Sequence, residues 1–191
     1  MTTPVPRDGF PPPSARFEDI PLGEVYRLIE PGPVVLLTTT RGHLANVMTL
    51  SWHMMVDFSP PLIACVVAGC LSSEAMDETG ECVVAIPAVE IARAVVAIGN
   101  ASGRRIDKFA EYGLTPLGAE KVGAPLVAEC FVNLECRVVD ATLAETYGLR
   151  ILEVVKAWRD PAKHDARTIH HHGFGDFVVD GRKLHLPSKM P

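Results

Sequence analysis

Pro33-Val-Val-Leu-Leu-Thr-Thr-Thr40, closed by Arg41-Gly42 and resumed from Leu44 to Val56, decides the fold class. The first half is a β-branched run, a turn of hairpin length follows, and the second half is again strand-like, so the segment predicts a β-hairpin. In the second strand Val47, Leu50, Trp52, Met54 and Val56 are apolar, while Asn46, Thr49, Ser51 and His53 interrupt them. A strand buried on both faces must satisfy such polar atoms from the protein or from a ligand. Asn46-Val-Met-Thr-Leu-Ser-Trp52 is therefore the first place to look for a site.

Working outward, Asp57-Phe-Ser-Pro-Pro61 ends that strand, because two prolines cannot donate to a ladder, and Leu62 to Ala68 begins another. The longest apolar run, Leu62 to Leu71, is about half of what a bilayer-spanning helix needs and reads as a buried strand. Ser72 to Gly80 predicts a short helix with an N-cap serine and a terminal glycine. Its free amides and the hydroxyls of Ser72 and Ser73 make either an ordinary cap or a seat for phosphate. Glu81 to Ile86 is a strand stopped by Pro87, and Ala88 to Ile98 is a helix whose only charges are Glu90 and Arg93, so most of its faces are buried. Ala124 to Val139 alternates as one long strand and Gly148 to Trp158 pairs with it. Six or so strands, tight turns and two helices predict a mainly β fold, a closed or nearly closed barrel rather than a doubly wound sheet.

At 191 residues the chain holds one domain with a full core. Residues 1–17, with Pro4, Pro6, Pro11, Pro12 and Pro13, read as a flexible or extended leader without a secretory signal's apolar centre, and 18–191 as the single domain, expected in the cytoplasm. Apolar residues at 48% against 21% charged argue for a globular chain, and a net charge of -5 without a Lys/Arg cluster argues against nucleic acid. Five cysteines with no C-x-x-C pair are expected as reduced core thiols. His170-His-His172 is not expected to hold a metal, since consecutive strand residues face opposite ways. G-x-G-x-x-G, Walker and G-x-S-x-G sequences do not occur, so the nucleotide-loop folds and the hydrolase elbow have no support. Gly99-Asn-Ala-Ser-Gly103 leads into Arg104-Arg105-Ile-Asp-Lys-Phe109, three cations in five positions. They form either a solvated helix face or, with small neighbours, a surface that an anion or polar ring edge approaches closely.

Pro31-Gly-Pro33-Val-Val-Leu-Leu-Thr, Asn46 to Trp52, Pro60-Pro61-Leu62, Glu81 to Pro87, Ser102 to Phe109, Gly113-Leu-Thr-Pro116 and Leu134-Glu-Cys136 stand in an order that resembles the flavin reductase-like family, its flavoredoxin-type members in particular. The resemblance runs from about residue 28 to the C-terminus. It implies an FMN-binding split β-barrel of Greek-key type, a homodimer with the flavin near the subunit interface. By position, Asn46, Met48, Thr49, Leu50, Ser51 and Trp52 resemble the segment lining the isoalloxazine, with Thr49 at its polar edge and Trp52 in apolar contact. Ser72 and Ser73 fall where relatives place phosphate donors. Ser102, Gly103, Lys108 and Phe109 fall in the loop that closes over the cofactor, Lys108 supplying a cation. Cys70-Leu71 stands where many relatives carry a basic or aromatic residue, which shifts the phosphate grip toward Arg104 or Arg105. The implied function is an FMN-dependent oxidoreductase taking hydride from NADH or NADPH and passing electrons to free flavin or another acceptor. The alternatives are an electron carrier reduced by a partner protein, and a barrel that holds a different ligand.

Overall fold

The ladder begun at Pro33 ends sooner than the sequence implies, and that ending opens the barrel. In the computed structural model, which describes residues 17–25 and 32–187, the elements are β1 (Glu18–Asp19), β2 (Val35–Arg41), β3 (Leu44–Leu50), β4 (His53–Phe58), β5 (Pro61–Val66), α1 (Leu71–Thr79), β6 (Glu81–Ile86), α2 (Ala92–Gly99), α3 (Lys108–Glu111), β7 (Pro116–Leu117), β8 (Leu126–Val127), β9 (Val132–Asp140), α4 (Ala144–Tyr147), β10 (Leu149–Arg159), β11 (Ile169–Gly173) and β12 (Asp176–Val179). Most of the expected leader, Pro31 and the last four residues lie outside the described residues.

The expected strand Leu44 to Val56 is two strands. β3 pairs with β2 as far as Leu50 opposite Val35. The next partners have nothing to give: Val34 N already donates to Ile169 O at 2.8 Å, and Pro33 has no N–H. Pro33 O instead accepts from His53 Nε2 at 2.6 Å. The chain therefore turns at Ser51-Trp52 and β4 pairs with β5, His53 opposite Cys65. The sheet runs antiparallel in the order β3-β2-β6-β9-β10-β5-β4, with β1 against the end of β10. Its two outer strands, β3 and β4, are joined by two residues and are not paired with each other, so the fold is mainly β and the barrel is left unclosed.

Continuous apolar runs arise because both faces of the middle strands are covered. Val35 and Leu37 join the barrel interior with Ile63, Val84, Leu134 and Leu152. Val34 and Leu36 join a second core with Val83, Val95, Ile98, Phe109 and Leu126. Leu36 and Leu37 are fully buried, each worth about 1.5–3 kcal/mol of transfer free energy. This second core ties α2 and α3 to the outside of β2 and β3, which fixes the elements around the site.

Two further expectations are revised. The run from Ala124 to Val139 breaks between β8 and β9, where Asn133 turns its side chain back to bond both Val127 N and Val127 O. The helix begins at Leu71 and its N-cap is Cys70, not a serine. Gly80, φ 67°, ends it in the left-handed conformation as the glycine rule requires. Among the described residues no helix is long and apolar enough to cross a membrane.

Candidate functional site

A cleft of about 160 Å³ opens beside β3, between the start of α1 and the loop that enters α3. Its walls come from three stretches of chain: Asn46 and Met48 on β3, residues 69–72 at the head of α1, and residues 101–104 with Lys108.

Local sequence holds each wall in place. Asn46 Nδ2 donates to Ser72 Oγ at 3.0 Å, which fastens β3 to α1. Ser73 Oγ accepts from Cys70 N and donates to Cys70 O, so that hydroxyl is spent on the helix cap. Ser72 and Ser73 are both buried. Gly103 has no room for a side chain: a Cβ there would collide with Asn46 Oδ1 and come within 3.2 Å of Leu71 Cδ1. The absence of a Cβ is what lets the 101–104 loop lie directly on β3.

Lys108 is set by its neighbours in sequence. Asp107 caps α3, its carboxylate accepting from Phe109 N at 3.0 Å and Ala110 N at 3.2 Å. Phe109, 1% exposed, anchors the next residue in the outer core. Lys108 is thereby held inward at 6% exposure. Its Nζ donates to Ile98 O at 3.0 Å, a carbonyl in the last turn of α2. Among the described residues no carboxylate lies within ion-pair reach of it. Burial pushes its pKa below the ordinary lysine value, with attraction to the Cys70 sulfur opposing that shift.

The second cation of the cleft is Arg104, and it is engaged. Its guanidinium bonds Glu74 Oε1, while Glu74 Oε2 accepts from Arg41 at 3.0 Å and Arg41 also reaches Glu78 at 2.7 Å. Hence a chain with a net charge of -5 presents a cleft lined by two cations and no carboxylate. Charge that is buried and under-paired favours an anionic ligand.

Residues 26–176 match the family model described as a flavin reductase like domain. The chain belongs to the flavin reductase-like family. An uncharacterized protein of Escherichia coli K12, YddH, is 35% identical over 185 residues, 89% of this chain and 98% of that one. An FMN-binding domain of a flavin reductases-like enzyme from Shewanella baltica shares the fold at a TM-score of 0.82, with 26% identity, covering 90% of this chain and 97% of the other. Flavoredoxin of Desulfovibrio vulgaris shares the fold at 0.75, with 24% identity over 83% and 91% of the two chains. The open barrel is thus the split barrel of flavin reductase-like proteins.

Against that family pattern, six of the twelve residues expected to bind cofactor line this cleft: Asn46, Met48, Ser72, Ser102, Gly103 and Lys108. The other six lie elsewhere. Thr49 faces the opposite side of β3, where its hydroxyl bonds Val95 O and packs against Gly99. Leu50 and Phe109 are buried in the cores, and Ser73 serves the helix cap. Ser51 is exposed at the turn, and Trp52 leaves its indole 71% exposed while its carbonyl accepts from Val66 N at 3.0 Å. The polar atoms of the β3 stretch are thus largely closed by the protein's own network rather than left for a ligand. Cys70 and Leu71, noted only as a departure at the phosphate grip, are walls of the cleft, and Gly69 beside them was not anticipated. Placing the helix start at a serine hid them, and Gly69, with φ 65°, was the signal for a turn just before α1.

The cysteines divide in the same way. Cys65, Cys82, Cys130 and Cys136 are buried in the cores, as read from the sequence, but Cys70 lies in the cleft. The three histidines lie on β11. His170 bonds Asp180 and Gly32 O, and His171 stacks on Phe177 at 5.0 Å. No group of metal-ligating side chains gathers there or elsewhere among the described residues.

Proposed function

We propose that this chain binds FMN in the cleft between α1 and α3 and acts as an oxidoreductase of flavin reductase type, oxidising NADH or NADPH and reducing free flavin or another acceptor. The observation that carries the reading is Lys108, an ammonium 6% exposed with one carbonyl partner and no carboxylate among the described residues. A cation held in this state lowers the free energy of an anionic group placed beside it, and an anionic reduced cofactor gains more than a neutral oxidised one. Asn46 offers an amide beside Lys108, already oriented by Ser72. Arg104 binds phosphate in this reading by exchanging the Glu74 carboxylate for it. The 101–104 loop excludes water by lying on β3, which only Gly103 permits. Bound FMN itself supplies the redox chemistry, so the protein has to bind, orient and tune rather than provide a general acid or base.

The cleft encloses about 160 Å³, below the roughly 300–1,000 Å³ common for small-molecule sites. Much of the ligand therefore needs a further cover. In this reading the cover is a second copy of the chain: Trp52 at the turn and Met54 and Val56 on the outer strand β4, 49–71% exposed, make an apolar stripe next to the seam. Sedimentation should show a dimer, and a stable monomer would remove this part.

The decisive experiment is a visible spectrum of the purified chain with added FMN, followed by anaerobic NADH or NADPH. Flavin bands that shift on binding and bleach within seconds support the reductase. Likeness of fold to flavoredoxin favours a second reading, an electron carrier served by a protein donor. Bands that persist with both nicotinamides and bleach with such a donor select it. A chain that takes up no FMN discards both.

A further inference from the structure

Two histidines grip the short segment where the β2 ladder runs out, and they differ in how they meet a proton. His53, the first residue of β4, donates from Nε2 to Pro33 O at 2.6 Å. Its Nδ1 is buried, and no donor among the described residues reaches it. A carbonyl oxygen only accepts, so the proton sits on Nε2 and the ring is held neutral, its second lone pair buried and unmet. His170, on β11, grips the adjoining residue in another way. Its Nδ1 faces Gly32 O at 3.1 Å, and its Nε2 faces Asp180 Oδ1 at 2.8 Å and the Thr168 hydroxyl at 3.1 Å. Each ring nitrogen of His170 therefore has an acceptor waiting for a proton, whereas a second proton on His53 has none.

We propose that His53 is an acid-sensitive latch on the seam: a proton taken up at Nδ1 releases the start of β4 and the Ser51-Trp52 turn from Pro33, while His170 keeps Gly32 on β11. Nothing around His53 compensates its charged form. β4 packs on β5, where the residue opposite His53 is Cys65, a thiol that burial pushes up to about 12 and so keeps neutral. Among the described residues no carboxylate pairs with the ring, and its one partner is the Pro33 carbonyl. A buried cation with an unpaired N–H costs more than a solvated one, so the protonated ring moves out to water and gives up Pro33 O. Burial accordingly lowers the His53 pKa below the ordinary histidine value, against the raising effect of the Pro33 bond. Between those two values the released chain binds the extra proton and the latched chain does not, so falling pH favours release and rising pH restores the latch. The other side of the segment stays. Val34 N remains on Ile169 O at 2.8 Å, and a second proton on His170 only completes its bonds. The opening is thus confined to the β4 side. Where a second copy covers Trp52, as proposed for the FMN site, release loosens that contact; this consequence rests on that reading, and the latch itself does not.

The test follows amide hydrogen exchange of the full chain, without flavin, at about pH 7.5 and about pH 5, corrected for the intrinsic rate. The Val66 amide, bonded to Trp52 O at 3.0 Å, should exchange about tenfold faster on acidification, while the Val34 amide, bonded to Ile169 O, keeps its protection. In His53→Gln, whose side-chain amide can still donate to Pro33 O but takes up no proton, the Val66 rate should be the same at both pH values. An unchanged Val66 rate in the parent chain, an equal rise at Val34, or a rise of the same size in His53→Gln would overturn the proposal. Ring nitrogen NMR spectra of the parent chain need no variant. They should show the Nε2–H tautomer of His53 at about pH 7.5, and a proton on its Nδ1 there would overturn the proposal as well. Sedimentation at the two pH values reads the consequence for assembly. A dimer that dissociates at the lower pH in the parent but not in His53→Gln supports it, and a dimer intact at both overturns it. A chain monomeric at both discards the covering copy, while the Val66 and Val34 rates still decide the latch.

Discussion

Two buried charged side chains, Glu135 and Lys108, are treated in opposite ways. Glu135, on β9 where the sheet is continuous, is fully buried, and its carboxylate accepts from Glu120 N at 3.0 Å, Val122 N at 3.2 Å, Lys121 N and the Trp158 indole at 2.8 Å. Four donors meet four lone-pair sites, so the group is complete within the protein. Lys108, at the open side, brings three donors to one carbonyl. A fold that can surround one buried group with four donors has the means to satisfy another. Glu135 is thus a structural group, while the proposed FMN site assigns ligand recognition to Lys108.

The comparison breaks most visibly at Glu135. Glu135→Ala leaves three backbone N–H groups and an indole without their acceptor, which should cost about 3 kcal/mol or more. For a chain of this size that lowers Tm by roughly 10 °C, measured by calorimetry. FMN affinity at a temperature where the variant is folded should be unchanged.

Lys108→Met inverts both readouts. Replacing an under-paired buried cation with an apolar chain of similar length should leave Tm level or raised. FMN affinity should fall by about ten- to a hundredfold, the loss of a charge-assisted bond worth about 1.5–3 kcal/mol. Unchanged affinity would remove Lys108 from the site. Gly103→Ala tests the cradle around it. Either the loop or the Asn46 side chain must give way to the new methyl, costing about 1–3 kcal/mol of strain, and titration with FMN should show weaker binding together with a lowered Tm.

Alkaline pH gives a graded version of the Lys108 change. Its pKa is lowered by burial in the free protein, so above that value and below the ordinary lysine range the unfolded chain binds the extra proton. Free-protein stability from this group therefore rises with pH across that window, while FMN affinity falls, because the ligand needs the charged form. Affinity measured from pH 7 to 10 should decline for the parent chain and stay flat for Lys108→Met. The smallest expected effect is at Glu74→Gln. Releasing Arg104 from a half-exposed ion pair, worth about 0–1 kcal/mol, should tighten FMN by a few-fold and leave riboflavin, which has no phosphate, unchanged. Equal shifts for both ligands would take Arg104 away from the phosphate.

The legible parts of the sequence were those governed by local rules. β-branched runs between prolines and glycines gave β2, β6 and β10, and Ser102 to Phe109 gave the loop and capped turn that carry Lys108. The break at Ser51-Trp52 was half visible. Pro33 announces that the ladder lacks a donor there, but the capture of Val34 N by Ile169, 135 positions away, leaves no trace in any window of sequence. Trp52, expected against the flavin ring, accordingly stands at a turn with its side chain exposed in the single chain. Cys70, noted only as a departure at the phosphate grip, was missed as the helix cap for a similar reason. Serine is the commoner N-cap, and the cap was assigned to Ser72 although Ser73 reaches back to the cysteine from the third helical position.

The seam between β3 and β4 has a consequence for handling the chain. Both outer strands carry backbone N–H and C=O groups that no neighbouring strand pairs among the described residues, and Met54 and Val56 of β4, with Trp52 at the turn before it, are exposed. Such an edge is a template for adding strands from other chains. At high concentration or on partial heating, association is expected to begin at this edge. A lysine at Met54 should protect against that turbidity, and the same charge would report whatever normally lies across the edge.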